Sequence, residues 1–155
     1  MSDSDPSRLI FALFNEIGII NQLSTARLAR VLAPHLNPSE FGVLNHFARL
    51  GDGKTPSYLA KAFQMTKPSM TAILGKLERK GYVAIVGSKE DRRQKIVTLT
   101  EAGRAARNKG IQAMAPLASK VLESQDFSDL QAILPKLQAL REFLDQERNV
   151  VDGIN

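Results

Sequence analysis

The chain has 155 residues, 43% hydrophobic and 24% charged, with a formal net charge of +5. That is an ordinary globular composition for one domain, or one domain with helical extensions, long enough to bury a core. Zero cysteines exclude disulfides, cysteine-ligated zinc and thiol redox chemistry and suit a cytoplasmic protein; there is no signal-peptide pattern, and no apolar run approaches the ~18 residues of a membrane span, so no membrane partner is expected.

In chain order, Met1 to Ser7 is polar, and Arg8 to Ala33 then runs without a proline. Ile10, Leu13, Phe14, Ile17 and Ile20 make one apolar stripe of a helix, which Leu9, Ile19, Leu23 and Leu28 widen. So apolar a circumference exceeds what one core needs and predicts burial against a second subunit. After Pro34, the run Asn37-Pro38-Ser39-Glu40 is a helix start: asparagine at the N-cap, proline at N1, glutamate closing a capping box. Phe41, Leu44, Phe47 and Ala48 are the expected inner face of that helix. Thr55-Pro56 repeats the start signal, and Leu59, Ala62 and Phe63 should face inward.

Thr66 to Lys80 is the centre of the chain. Thr66 is placed to cap a helix and Pro68 to occupy its first turn, while Gly81 stands ready at the C′ position. Met70, Ile73, Leu74 and Leu77 fall on one face; Lys67, Ser69, Thr71, Ala72, Gly75, Lys76 and Arg79 fall on the other. With the preceding short helix this makes a helix-turn-helix. Two short strands follow, Tyr82 to Val86 and Lys95 to Leu99, joined by the charged segment Lys89-Glu90-Asp91-Arg92-Arg93-Gln94. A helix followed by such a hairpin is a winged helix. Thr100 caps the next helix, with Ile111, Met114, Ala115, Ala118, Val121 and Leu122 as its stripe and a kink expected at Pro116. Asp126 starts the last, with Leu130, Ile133, Leu134, Leu137, Leu140 and Leu144 in line and a second kink at Pro135.

Between Thr66 and Lys95 there are eight basic residues and three acidic ones, so the whole formal excess of +5 lies on the helix and hairpin. Concentration of charge on one such unit is the footprint expected of a nucleic-acid partner. No Gly-rich phosphate loop and no Ser/His/acid set with workable spacing is present, and His35 and His46, the only histidines, are too few for a metal site. No enzyme, metal or cofactor is expected.

The stretches Asn37-Pro38-Ser39-Glu40-Phe41-Gly42-Val43-Leu44, Thr55-Pro56 with Leu59-Ala60, Leu77-Glu78-Arg79-Lys80-Gly81 and Asp91-Arg92-Arg93 with Val97-Thr98-Leu99-Thr100-Glu101-Ala102-Gly103 resemble the MarR family of transcriptional regulators. The wing pattern Asp-x-Arg-x-x-x-Val-x-Leu-Thr-x-x-Gly is present at every position, and the motifs together cover roughly Asn37 to Gly103. The resemblance implies a homodimer joined through both terminal regions and bound to pseudo-palindromic double-stranded DNA. It implies Arg93 in the minor groove with Asp91 steadying the wing, and a small-molecule pocket between dimer helices and DNA lobe for phenolic or other aromatic acids. The lack of cysteine removes that family's peroxide sensors as a guide.

The expected fold is therefore mostly α with a small β-hairpin wing: a winged helix-turn-helix over residues 37–100, flanked by dimerisation helices over 1–36 and 101–155. Lys67, Pro68, Ser69, Thr71 and Lys76 are the expected major-groove set; Ser and Thr hydroxyls can reach base edges or phosphates, and the helix N-terminus offers N–H groups to a phosphate. Lys89 and Arg92 are expected on phosphates, Arg93 in the minor groove, and Asp91 as wing support. The expected function is a repressor released by a small ligand. A constitutive DNA binder without effector and a winged-helix protein-interaction module are the alternatives.

Overall fold

In the computed structural model, which describes residues 5–151 except residue 92, the helices are α1 (Pro6–Leu32), α2 (Pro38–Leu50), α3 (Pro56–Ala62), α4 (Lys67–Arg79), α5 (Glu101–Ala113), α6 (Ala115–Ser124) and α7 (Phe127–Val151). Between α4 and α5 stand two antiparallel strands, β1 (Val83–Gly87) and β2 (Lys95–Leu99), in the register Val83↔Leu99 to Gly87↔Lys95. The chain divides into two compact units, residues 1–114 and 115–155, so α5 groups with the winged helix.

Local chemistry sets the starts of these helices. Asn37 Oδ1 accepts from the Glu40 N–H at 2.9 Å and Glu40 Oε2 accepts from the Asn37 N–H at 3.0 Å, a complete capping box at the head of α2. Thr55, Thr66 and Thr100 cap α3, α4 and α5 through the N–H groups of Tyr58, Ser69 and Gly103. Each threonine satisfies a donor that the helix geometry would otherwise leave open. Proline follows in the first turn of α1, α2, α3 and α4, where its missing N–H breaks no intrahelical bond. The turn between α3 and α4 puts Gln64 at φ 51°, closed by the Met65 N–H on the Ala60 carbonyl at 2.8 Å. Gly81 ends the α4 segment at φ 72°, a conformation open to glycine without steric cost.

The core of the first unit lies where α2, α3, α4 and the hairpin converge. Val43, Leu44, Phe47, Leu59, Met70, Leu74, Leu77 and Val97 are closed to solvent, and Leu32, Leu36, Val83 and Leu99 extend the cluster. On α2 the buried apolar face is Val43, Leu44 and Phe47, and Glu40 and His46 are buried with it; Phe41 and Ala48, expected inside, are only half-buried. On α3 it is Leu59 and Ala60 that are buried, with Ala62 and Phe63 half-buried. These helices are wedged between neighbours on two sides, so the buried arc is broader and rotated from the stripe that periodicity alone selects. Lys54 adds a bridge to β2, exchanging hydrogen bonds with Val97 at 3.2 and 2.8 Å, and Asp52 Oδ1 accepts from the Leu99 N–H at 2.8 Å.

The face of α5 that meets this unit is built from small residues rather than from the expected stripe at Ile111. Gly103 and Gly110 are buried and Ala106 is packed on the core, whereas Ile111 is exposed. A Cβ on Gly103 would stand 2.0 Å from the Tyr82 carbonyl oxygen, so only glycine lets the helix approach the hairpin so closely. The helix ends with Met114 at its C-cap, and α6 begins at Ala115 with Pro116 in its first turn. In the second unit α7 continues as one helix through Pro135. Asp126 Oδ1 accepts from the Ser128 hydroxyl at 2.5 Å and from the Ser128 N–H at 2.7 Å, and these bonds, the hydroxyl's first, hold the carboxyl below its usual range.

The first helix is more apolar on average than its interrupted runs suggest. An 18-residue window within Pro6–Leu32 has mean hydropathy 1.3 and no buried residue, so by length and composition this helix could cross a membrane. Asn15, Glu16, Asn21 and Gln22 break up its uninterrupted apolar runs, but they are too few to lower the mean over five turns. A buried core helix of a soluble protein and a signal sequence meet the same criterion.

Candidate nucleic-acid interface

Helix α4 exists as a presentable surface because its other side is fixed. Met70, Leu74 and Leu77 are buried against α2, α3 and the hairpin, which leaves Lys67, Pro68, Ser69, Thr71, Ala72 and Lys76 facing solvent. At its N-terminus Thr66 Oγ1 accepts from the Ser69 N–H at 3.3 Å and donates to Ser69 Oγ at 2.8 Å. Ser69 Oγ therefore already accepts one bond, and its own proton is free to donate outward. The expected run of free N–H groups is shortened. Pro68 has none and Ser69's is taken by Thr66, so among the described residues the Lys67 N–H is the first-turn donor left for an anion.

The wing is held at its base by the β1–β2 ladder and along its loop by two short side chains. Ser88 Oγ accepts from the Glu90 and Asp91 N–H groups at 3.2 and 3.4 Å, and Asp91 Oδ1 accepts from the Arg93 N–H at 2.9 Å. The Ser88 N–H reaches the Gln94 carbonyl at 2.8 Å and closes the loop. Asp91 thus lies where a wing support would, and Ser88 braces the same loop. Lys89 and Arg93 are exposed. Arg92 lies outside the described residues.

Helix and wing converge on one groove. Thr71, Gly75 and Glu78 of α4, Thr55 and Ser57 at the head of α3, and Arg93 and Lys95 of the wing line a cleft of about 470 Å³. Thr71 and Arg93, 22 positions apart in the chain, are brought to a common surface. Lys67, Ser69, Lys76 and Lys89 are exposed but do not line it. Thr55, which the sequence reading placed only as a helix start, and Ser57 with the neighbouring Tyr58 are polar groups at this edge. Lys54 Nζ stands 5.2 Å from the centre of the Tyr58 ring, an arrangement that holds a further cation beside the groove.

Two polar residues behind this surface are buried, which the sequence did not reveal. Glu40 is buried and holds Lys80 Nζ at 2.7 Å, so Lys80, one of the eight basic residues of the segment, is turned away from the outward face of α4. His46 is buried among Phe47, Tyr58 and Phe63, with its Nε2 unpaired among the described residues. Burial pushes its pKa down, and the nearby charges of Arg49 and Lys54 push it further the same way. Neither position carries a periodicity signal that would have revealed it. No cluster of three metal-binding side chains occurs among the described residues.

Comparison with known proteins agrees with this geometry. Residues 36–94 match the sequence model of the MarR family, from the end of the α1–α2 connection to the wing loop. The transcriptional activatory protein BadR of Rhodopseudomonas palustris is 30% identical over 100 residues, which are 63% of this chain and 55% of that protein, so the chain matches about half the length of this curated relative. The transcriptional regulator BldR from Sulfolobus solfataricus superposes with a TM-score of 0.69 at 25% identity, over 87% of this chain and 98% of its own. A cysteine-to-serine mutant of MarR from E. coli, crystallised with operator DNA, superposes at 0.67 with 24% identity, over 88% and 99% of the two chains, a likeness of fold. The wing motif, the capped helix α4 that carries the basic face and the match over residues 36–94 make the winged helix-turn-helix of this chain similar to that of the MarR family of transcriptional regulators, whose fold it shares.

Proposed function

We propose that the protein binds double-stranded DNA as a homodimer, recognises a pseudo-palindromic operator and represses by occupying it. The observation that carries this reading is the groove in which Thr71 of α4 and Arg93 of the wing meet, in a fold shared with a MarR protein crystallised on operator DNA. In this reading α4 enters the major groove with Lys67, Pro68, Ser69, Thr71 and Lys76. Arg93 enters the adjacent minor groove, attracted by its negative potential, while Asp91 keeps the wing in shape. Lys89 and Arg92 neutralise phosphates.

The dimer reading is supported by apolar surface that a monomer leaves in water. On α1, Leu9 and Phe11 are 72% and 73% exposed. On α7, Ile133, Leu134, Phe143 and Leu144 are exposed as well. Exposed apolar surface of this kind, on each of the two helices, marks an interface, and covering it with a second copy produces the two-fold symmetry of an inverted repeat.

A ligand reading rests on a second cleft, about 560 Å³, between the end of α1 and α5. Leu32, Leu36, Tyr82, Ala106 and Gly110 give it apolar walls, and His35 and Lys109 supply polar edges. That combination suits an aromatic or phenolic acid, ring against the walls and carboxylate toward the lysine. An acid that prefers the arrangement unable to bind DNA would release the operator. The name of the relative BadR favours a second reading, activation in place of repression.

Selection of duplexes from a random library by the full chain tests the reading. An inverted repeat with half-sites about one helical turn apart, roughly 34–36 Å, is expected; a library that enriches nothing overturns DNA recognition and leaves the protein-interaction module. With the selected duplex in hand, Arg93→Ala should weaken binding to most sequences, whereas Thr71→Ala should relax selectivity at particular positions by roughly 1–3 kcal/mol. Lys89→Ala should lower the salt slope by about one unit. Salicylate should raise the melting temperature and release the duplex; if it does neither, the constitutive reading stands. Run-off transcription with and without the protein separates repression from activation.

A further inference from the structure

The recognition helix is anchored at one end by a polar joint that reaches past the core to the other side of the unit. Lys80 is the C-cap of α4. Its ammonium donates to Glu40 Oε2 at 2.7 Å and to the His35 carbonyl at 2.9 Å. Glu40 is 2% exposed, and the same oxygen accepts from the Asn37 N–H at 3.0 Å. Three segments therefore meet at one ammonium and one carboxylate: the α1–α2 connection through His35, the capping box of α2, and the terminus of α4. Within the described residues this is the ion pair that joins different secondary-structure elements; the remaining ones lie within α7.

Packing alone does not define how α4 is aimed. Met70, Leu74 and Leu77 hold the helix against α2 and α3 by apolar contact, which is non-directional and tolerates small rotations about the helix axis. Hydrogen bonds to a charged pair are directional and short, so they select one orientation of the α4 terminus from those the core permits. Lys80 carries this constraint at the C-cap of the helix, opposite the end at which Lys67 and Ser69 are displayed. A rotation about this joint therefore displaces the whole outward face relative to the wing.

We infer that Lys80 and Glu40 are positioning residues for operator recognition: the Lys80–Glu40–His35 joint sets the tilt of α4, and Lys80 neutralises no DNA phosphate. This rests on the DNA-binding reading above. It separates Lys80 from Lys67, Lys76 and Lys89, with which it would be grouped by charge.

The test uses the full chain, a duplex that the wild-type protein selects from a random library, and a scrambled duplex of the same composition. The double variant Lys80→Met with Glu40→Gln removes both charges together, and glutamine at this position can still close the capping box. Binding to both duplexes is titrated across a salt series, with folding at the assay temperature checked by circular dichroism. The expected result is at least a tenfold fall in the ratio of selected to scrambled affinity with the salt slope unchanged, while Lys89→Ala lowers the slope by about one unit. Lys80→Arg, which retains the charge and the donors, should restore most of the ratio. Should the double variant unfold, Glu40→Gln alone is read the same way, since a carboxylate this deeply buried cannot touch DNA. A slope lowered by about one in the Lys80 variant makes the lysine a phosphate contact and overturns the inference. So does an unchanged ratio in folded protein, which makes the joint structural only. If the wild-type chain selects no duplex, the DNA-binding reading itself fails, and this inference with it.

Discussion

Helices α1 and α4 are both amphipathic by sequence, yet they end in opposite environments. In α4, Met70, Leu74 and Leu77 are closed off by α2, α3 and the hairpin, so its apolar stripe is consumed within the chain and its polar face is left for a partner. In α1 only Leu32, at the last turn, is buried, Leu28 packs partly on the core, and Leu9, Ile10, Phe11, Leu13, Phe14, Ile19, Ile20 and Leu23 are exposed. The difference does not come from hydrophobicity, since α1 is the more apolar of the two. It comes from where each helix lies along the chain. The neighbours of α4 on both sides are short elements that fold back over it, whereas the 27 residues of α1 extend beyond anything the first unit has to cover them. An apolar stripe thus predicts burial but not the identity of the chain that provides it.

The widest gap between the two helices should show on truncation. Leu74→Ala opens a cavity in a side-chain cluster that is closed to solvent and should cost about 2–5 kcal/mol by denaturant titration. Leu9→Ala, on exposed α1, should change the stability of the isolated fold by less than ~0.5 kcal/mol. Equal losses at the two positions would break the comparison and place α1 in a core of its own chain.

A charge on α1 sharpens it. Phe11→Glu should turn the dimer into a monomer in sedimentation at micromolar concentration. It should also abolish the rise of melting temperature with protein concentration that a dimer shows. Should the wild-type chain itself sediment as a monomer, the exposed face of α1 has another occupant.

A smaller effect is expected at the head of α4. Thr66→Ala removes the acceptor of the Ser69 N–H and the donor to Ser69 Oγ and should cost about 0.5–2 kcal/mol. The matching change at α1, Asp5→Ala, removes the acceptor of the Ser7 N–H at an exposed helix start and should cost less. Both are read from urea midpoints at constant slope.

The smallest effect concerns pH. Because the pKa of His46 is lowered in the fold from a usual 6.5, unfolding takes up a proton there once the pH drops below that value. The stability from the neutral imidazole is present in full above about 6.5 and is lost as pH falls toward the depressed native value. Melting temperature should thus decline between pH 7.5 and 5.5, and less steeply in His46→Phe, which keeps the aromatic contacts to Tyr58 and Phe63. Identical slopes for the two proteins would remove His46 as a source of acid sensitivity.

Much of the interface was readable along the chain because its determinants are short-range. The capping box at Asn37 and Glu40, the threonine caps at Thr55, Thr66 and Thr100 and the turn at Gly81 involve partners within a few residues. Hydrogen-bond valence and backbone sterics at that range are properties of local sequence. Periodicity likewise assigned the inner face of α4, since that helix is packed over a single arc. The inner face of α5 escaped the same reasoning. Its contact residues Gly103, Ala106 and Gly110 have little hydrophobic weight, and their smallness matters only because the Tyr82 carbonyl and the Phe41 ring lie against them.

The charges divide in the same way. Counting placed an excess of +5 on the segment from Thr66 to Lys95, and that total needs no coordinates. How each charge is used depends on partners far along the chain: Lys80 is spent on Glu40, 40 positions earlier, while Thr71 and Arg93 share a groove only because the hairpin folds back beside α4. The depressed histidine follows the same rule, since its aromatic cage draws Tyr58 and Phe63 from a different helix. Caps, turns and the apolar period of an isolated helix are matters of a few bonds and are written in neighbouring residues. Burial of a charge, close approach at a glycine and convergence of two polar groups are matters of distance through space, and these arise only when the chain has closed on itself.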